Sequence, residues 1–158
     1  MCIVKTLQLK TETQTRTLAE TLAASNFIDN AFIELHGDLG VGKTTWVRHL
    51  LDSLGFKGRV KSPTYSIVEF YEIKARQLKI WHFDFYRFDD PQEWEDAGFR
   101  DIFSGPGLKL VEWPSHGPAL AVTPDLFLDF KLQADETRIL TLTGQTDRGT
   151  RLLEGVVT

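Results

Sequence analysis

Cysteine is almost missing from this chain of 158 residues: Cys2 is the only one. A lone cysteine excludes an internal disulfide and fits a reducing, cytoplasmic setting. It also excludes a cysteine-based zinc site, and His36, His49, His82 and His116 show no metal-ligand spacing. No stretch approaches the roughly 20 apolar residues of a helical membrane span, and the first residues carry no signal-peptide h-region. The expectation is a cytoplasmic protein without membrane contact. Acidic residues outnumber basic ones by 22 to 18, and the formal net charge is −4. Lys57, Arg59 and Lys61 make the only dense basic cluster, while Asp89, Asp90, Glu93, Glu95, Asp96 and Asp101 form an acidic stretch. A protein that grips nucleic acid unaided carries a basic stripe, so autonomous DNA or RNA binding is not expected. Repeats, low-complexity tracts and linkers are absent, which suits a single domain over residues 1–158.

What is present is a mixture of helical and strand patterns. Residues 3–9 read as a strand. Thr11 then reads as an N-cap with Gln14 as its capping-box partner, opening a helix to about Ser25 that buries Leu18 and Leu22. Ser66 to Ile73 and Leu78 to Phe85 are β-rich and joined by Lys74-Ala75-Arg76-Gln77, a connection short enough for an antiparallel hairpin. Asp90-Pro91-Gln92-Glu93 is a helix start, with Gly98 closing that short helix. Leu108 to Glu112 reads as a buried strand, and 126–132 with 138–143 as a second hairpin. The expected fold is α/β with a mixed parallel and antiparallel sheet.

The most specific segment is Gly37-Asp38-Leu39-Gly40-Val41-Gly42-Lys43-Thr44, which fits G-x-x-x-x-G-K-[ST], the phosphate-binding loop of nucleoside triphosphatases. Glycines let the backbone wrap an anion with its N–H groups turned inward. Lys43 is placed to reach the terminal phosphates, and Thr44 offers a hydroxyl to Mg²⁺. Ala31 to Leu35 reads as the strand leading in, and Thr44 to Leu54 as the helix leading out, with Trp46, Val47, Leu50, Leu51 and Leu54 on one face. That order sets a helix N-terminus under a phosphate.

Such a loop requires a second carboxylate at a neighbouring strand end to hold the metal or its water. Ile80-Trp81-His82-Phe83-Asp84 and Leu108-Lys109-Leu110-Val111-Glu112 both end in one. The plain alternatives are a turn aspartate for Asp84 and a solvated strand-end charge for Glu112. Ser62-Pro63-Thr64-Tyr65 lies between loop and acids, where triphosphatases place a γ-phosphate-sensing threonine, although Ser-Pro-Thr turns are common. Arg87 is placed to contact phosphate or to pair with Asp89 or Asp90.

Taken together, the loop with Thr45, then Ser62-Pro63-Thr64-Tyr65, His82-Phe83-Asp84-Phe85-Tyr86-Arg87 and Val111-Glu112-Trp113-Pro114, resemble the TsaE (YjeE) family over about residues 11–138. These are small bacterial P-loop ATPases required for the threonylcarbamoyladenosine modification of tRNA. Val41 and Phe85 depart from the usual alanine and leucine without removing a functional group. The resemblance implies a P-loop NTPase-like three-layer fold, ATP and Mg²⁺ as ligands, and weak ATPase activity alone. It also implies action on the transferase complex (TsaD/TsaB-type proteins) that modifies adenosine 37, with tRNA met only indirectly. Carried over, Gly37, Asp38, Leu39, Gly40, Val41, Gly42, Lys43, Thr44 and Thr45 cradle the nucleotide, and Thr11 and Arg138 lie near it. Thr44, Asp84 and Glu112 face the metal, and Thr64, Asp84 and Glu112 serve the chemistry.

Two other readings use the same loop. A small-molecule or nucleoside kinase would need an acceptor pocket and an arginine-bearing lid, and no Arg-rich lid segment occurs. A nucleotide-gated binding module would use ATP occupancy rather than hydrolysis. A GTPase is disfavoured because Asn-Lys-x-Asp appears nowhere. No arginine finger is identifiable by motif, in keeping with an ATPase that needs a partner.

Overall fold

The computed structural model describes residues 2–61, 63, 66–96 and 98–158. Seven strands form one sheet in the order β1-β7-β6-β2-β5-β4-β3. They are β1 (Ile3–Leu9), β2 (Phe32–His36), β3 (Val68–Ile73), β4 (Leu78–Asp84), β5 (Leu108–Glu112), β6 (Leu126–Leu132) and β7 (Arg138–Gly144). The middle is parallel: β2 pairs with β5 and β6, and β4 with β5. The flanks are antiparallel, through the β3–β4 and β6–β7 hairpins and through β1 on β7. The sheet is therefore mixed, as expected from the two short hairpin connections.

Helix α1 (Glu12–Ala23) opens on the expected capping box, with Thr11 accepting from the Gln14 N–H and Gln14 reaching back to the Thr11 N–H. Helix α2 (Lys43–Leu54) starts directly after the phosphate loop and ends at Gly55, whose φ of 104° makes the left-handed cap. Helix α3 (Pro91–Asp96) follows Asp90, whose carboxylate accepts from the Gln92 N–H. Gly98 follows α3 with its N–H on the Glu95 carbonyl oxygen at 3.2 Å, the closing role expected of it, and at φ 68° it also starts α4 (Phe99–Ser104), a helix the sequence pattern does not reveal. Helix α5 (Asp147–Leu153) likewise lies beyond the segments read above, capped by the Thr146 hydroxyl on the Gly149 N–H.

Strand alternation sorts the interior into two apolar layers. On one face Ile33, Leu35, Ile80, Leu108, Leu110 and Leu128 pack with Leu18 and Leu22 of α1, Trp46 and Leu50 of α2 and Leu152 of α5. On the other, Phe32, Phe83, Phe85 and Val111 pack with Trp94 of α3 and Phe103 of α4. Asp89, Asp90, Glu95 and Asp101 of the acidic segment stay exposed while its Trp94 is buried and its Phe99 half-buried beneath. Helices thus flank the sheet on both sides, and the even-numbered positions of β4 and β5 look toward α1 and α2. No described helix is long and apolar enough to cross a membrane.

Candidate nucleotide-binding site

The phosphate loop leaves the C-terminal end of β2 and turns back over the sheet as α2. Gly37 makes this possible by close approach and by its φ of 137°; a Cβ there would lie 2.7 Å from the Phe130 carbonyl oxygen. At Gly42, φ 107°, the side that a Cβ would occupy faces the Arg138 guanidinium. Arg138 Nε donates to the Val41 carbonyl oxygen at 2.6 Å, so the first residue of β7 braces the loop from behind. The loop's geometry is thus set by chain path and packing as well as by composition.

Lys43 is only 4% exposed. Its ammonium donates to the Gly37 carbonyl and lies 4.1 Å from the centre of the Trp113 ring, a cation–π contact. Burial lowers its pKa from the ordinary lysine range, and Glu112, Asp84 and Asp38 act in the opposite direction. Trp113 itself sits at φ 55° and packs against Tyr86 and His116. It forms a wall of the site, a role that a tryptophan following a strand-end acid does not disclose by sequence.

Sheet order decides which acid meets Thr44. Strand β5 is the parallel neighbour of β2, and Glu112 is level with Leu35, two residues before Gly37. Its carboxylate is 3% exposed and accepts from the Thr44 hydroxyl, with both oxygens within 3.2 Å. Asp84 is level with Glu112 one strand further out, and accepts from the Tyr86 N–H at 2.9 Å. Burial raises the Asp84 pKa above the usual carboxylate range; the Tyr86 N–H opposes this, Glu112 reinforces it, and His82 and Lys43 oppose it. The two acids thus share one sheet edge with the loop, the arrangement the chemistry requires.

A pocket of about 330 Å³ collects these groups: Lys43, Thr44, Thr45, Asp84, Glu112 and Trp113 line it, with Gly40, Gly42, Arg87 and Arg138. A second pocket of about 190 Å³ adjoins it across Gly42, Thr45 and Arg138, and is lined also by Glu12, Thr15 and Phe130. A larger cleft, about 700 Å³, lies on the other flank of the loop beside His36, Asp129 and Lys131. Size does not locate the chemistry here, because the loop ammonium and both acids line the smaller pocket.

Of the remaining residues singled out by sequence, Gly37, Asp38, Leu39 and Val41 form the loop's body, with Asp38 and Leu39 exposed. Thr11 lies at the N-cap of α1, one residue before the pocket-lining Glu12. Thr64, with Ser62 and Tyr65, lies outside the described residues. Thr15 and Glu12 were not legible as site residues, since nothing but the packing of α1 beside α2 brings them there. His82 was legible only as part of a motif; the structure sets its ring against Glu112, Nε2 to Oε2 2.6 Å.

The donor set suits a triphosphate and a hard cation. The pocket offers an ammonium, guanidinium groups and loop N–H groups to an anion, and a hydroxyl with two carboxylates to Mg²⁺. No cluster of three or more His, Cys, Asp or Glu able to cage a metal occurs among the described residues.

This chain is 40% identical over 121 residues to the tRNA threonylcarbamoyladenosine biosynthesis protein TsaE of Haemophilus influenzae, covering 77% of this chain and 75% of that one. With the protein of the same name from Rickettsia bellii it shares 33% over 138 residues, 87% and 93% of the two chains. With that of Bacillus subtilis it shares 35% over 122 residues, 77% and 75%. The crystal structure of YdiB from Bacillus subtilis is similar in fold, with a TM-score of 0.72 and 26% identity, over 98% of this chain and 94% of that one. The model of the family described as threonylcarbamoyl adenosine biosynthesis protein TsaE matches residues 9–140. By sequence, sheet topology and loop, this chain belongs to the TsaE family.

Proposed function

We propose that this chain is a Mg²⁺-dependent ATP-binding and ATP-hydrolysing protein that acts in threonylcarbamoyladenosine modification of tRNA. It works on the transferase complex formed by TsaD/TsaB-type proteins, in the cytoplasm, and meets tRNA only through that complex. The observation that carries the reading is the pair formed by the Thr44 hydroxyl and the buried Glu112 carboxylate beside the Lys43 ammonium.

Lys43 holds the terminal phosphates, aided by the loop N–H groups from Gly37 to Thr45. Arg138 keeps the loop in shape. Thr11 and Arg138 lie along the nucleotide, and Thr64 belongs to a switch that senses the γ-phosphate. Thr44, Glu112 and Asp84 would hold Mg²⁺, which supplies charge neutralisation at the β- and γ-phosphate oxygens. Glu112, as acceptor of the Thr44 hydroxyl hydrogen, keeps that oxygen's lone pairs turned outward. Asp84, level with Glu112 and fixed by the Tyr86 N–H, is suited to orienting a water. Lys43 loses its contact to the Gly37 carbonyl on engaging phosphate, so the same ammonium serves loop and ligand in turn. A partner that adds a charge stabiliser raises such a rate by about 10³–10⁵.

Single-turnover hydrolysis with and without the purified transferase complex tests this. The expected result is slow hydrolysis alone, a faster rate in the complex, and loss of that gain in Glu112→Ala. Equal rates for wild type and Glu112→Ala in the complex would reject the role of the carboxylate. Nucleotide-dependent association without turnover would instead point to a nucleotide-gated binding module, and phosphate transfer to a nucleoside to a kinase.

A further inference from the structure

His82 is wholly buried in mid-β4, on the face that α2 covers. Its strand neighbour two residues before, Ile80, and its β5 partner, Leu110, are both members of the apolar core on that face. A leucine would pack there without stranding a polar atom. The imidazole strands one: Nδ1 is buried and has no hydrogen-bonding partner among the described residues. Its other nitrogen, Nε2, lies 2.6 Å from Glu112 Oε2. A ring with a carboxylate oxygen at one nitrogen and no acceptor at the other carries its hydrogen on Nε2.

Glu112 is therefore gripped from two sides. His82 donates to it from within the sheet, and Thr44 donates from the loop, with 3.1 Å to Oε2 and 3.2 Å to Oε1. A carboxylate held by one contact still turns about its last bond; a second donor from another direction fixes its plane. Groups that orient a ligating side chain in this way govern metal affinity without touching the metal. An ordinary core histidine would also find the nearest acceptor, but the acceptor here is the one acid hydrogen-bonded to Thr44 among the described residues.

We infer that His82 is a positioning residue, whose Nε2–H holds the Glu112 carboxylate turned toward Thr44, the orientation in which that acid serves the cation of the bound nucleotide. The inference rests on the Mg²⁺–nucleotide reading above.

The test uses His82→Gln, His82→Leu and His82→Asn in the full chain. Glutamine carries an N–H donor to about the reach of Nε2; leucine offers none, and asparagine falls short. Calorimetry with a nonhydrolysable ATP analogue is run in chelator and across a Mg²⁺ titration, with thermal melts on every variant. In chelator, all variants are expected to bind like wild type. His82→Leu and His82→Asn are expected to raise the Mg²⁺ concentration for half-maximal effect by about tenfold or more, and His82→Gln to restore most of it. A leucine variant that matches wild type, or a glutamine variant that loses as much as leucine, overturns the inference while leaving nucleotide binding intact. A wild type whose affinity ignores Mg²⁺ overturns the nucleotide reading itself, and the inference with it. If the leucine and asparagine variants fail to fold, nitrogen-15 spectra of wild type decide: the Nε2–H tautomer, with a resonance that moves in Glu112→Gln, is expected, and an Nδ1–H tautomer refutes the role.

Discussion

At the scale of single residues, the site is an arrangement of charges that the fold has partly taken out of water. Lys43 shows this most directly, being buried beside two acids and an indole face. On the proposed function, Lys43→Ala removes a charge-assisted contact to phosphate, which is expected to cost about 1.5–3 kcal/mol or more of ATP binding. That corresponds to roughly ten- to hundredfold in affinity or beyond, and titration calorimetry measures it; unchanged affinity would refute the assigned role. Asp84 makes a prediction of opposite flavour. Because burial raises its folded-state pKa, the folded protein penalises its charged form. The penalty is present at pH above that raised pKa and vanishes as pH falls below the unfolded value. Asp84→Asn, which keeps an acceptor for the Tyr86 N–H, is therefore expected to melt higher than wild type at neutral pH without nucleotide or metal. The gain should shrink as the pH is taken down through the acid range. A gain that grows on acidification would contradict the cause given.

Elements divide into those whose sequence signals are local and those built by contact. The capping box of α1, the phosphate loop with α2, the two hairpins and β5 all announce themselves through short patterns, and each lies within a residue or two of its expected position. Helices α4 and α5 do not. Six residues in α4 are too few to show a helical period, and Gly98, a natural stop, serves also as the left-handed start of the next helix. In α5 the glycine at position 149 lowers helix propensity, yet it is there for contact: a Cβ on it would fall 1.8 Å from the Asp125 carbonyl oxygen. Propensity alone would make Gly149→Ala stabilising by up to about 1 kcal/mol. The clash is with backbone and cannot be relieved by a rotamer, so overpacking of about 1–3 kcal/mol or more is expected to win. A urea melt gives the sign. Thr11→Ala is expected to cost about 1 kcal/mol through loss of the α1 cap, read by the same measurement.

For the molecule as a whole, the order of strands carries the information the sequence withholds. Asp84 and Glu112 look alike along the chain, each an acid closing an apolar strand; only the order β2-β5-β4 makes Glu112 the neighbour of Thr44. The role of His82 is hidden for the same reason, since register between β4 and β5 creates it and no spacing motif records it. Net charge acts on this scale as well. With a formal −4 and an exposed acidic segment, the isolated protein is expected to bind free tRNA no more tightly than about 10⁻⁶ M at physiological salt. Filter binding checks this, and tighter, salt-sensitive binding would show a cationic surface of its own.

Strand β4 has one property that matters beyond its own contacts. Phe83, with Phe85 just past the strand end, belongs to the aromatic layer under α3 and α4, while His82 and Asp84, alternating with them, face the side of Glu112 and Lys43. A pleated ribbon cannot tilt one row of side chains and leave the other still. Anything that presses on or loosens the outer pair of short helices therefore reaches Asp84 along the β4 backbone, and Glu112 of β5 through His82, like a key turned from the far side of a door.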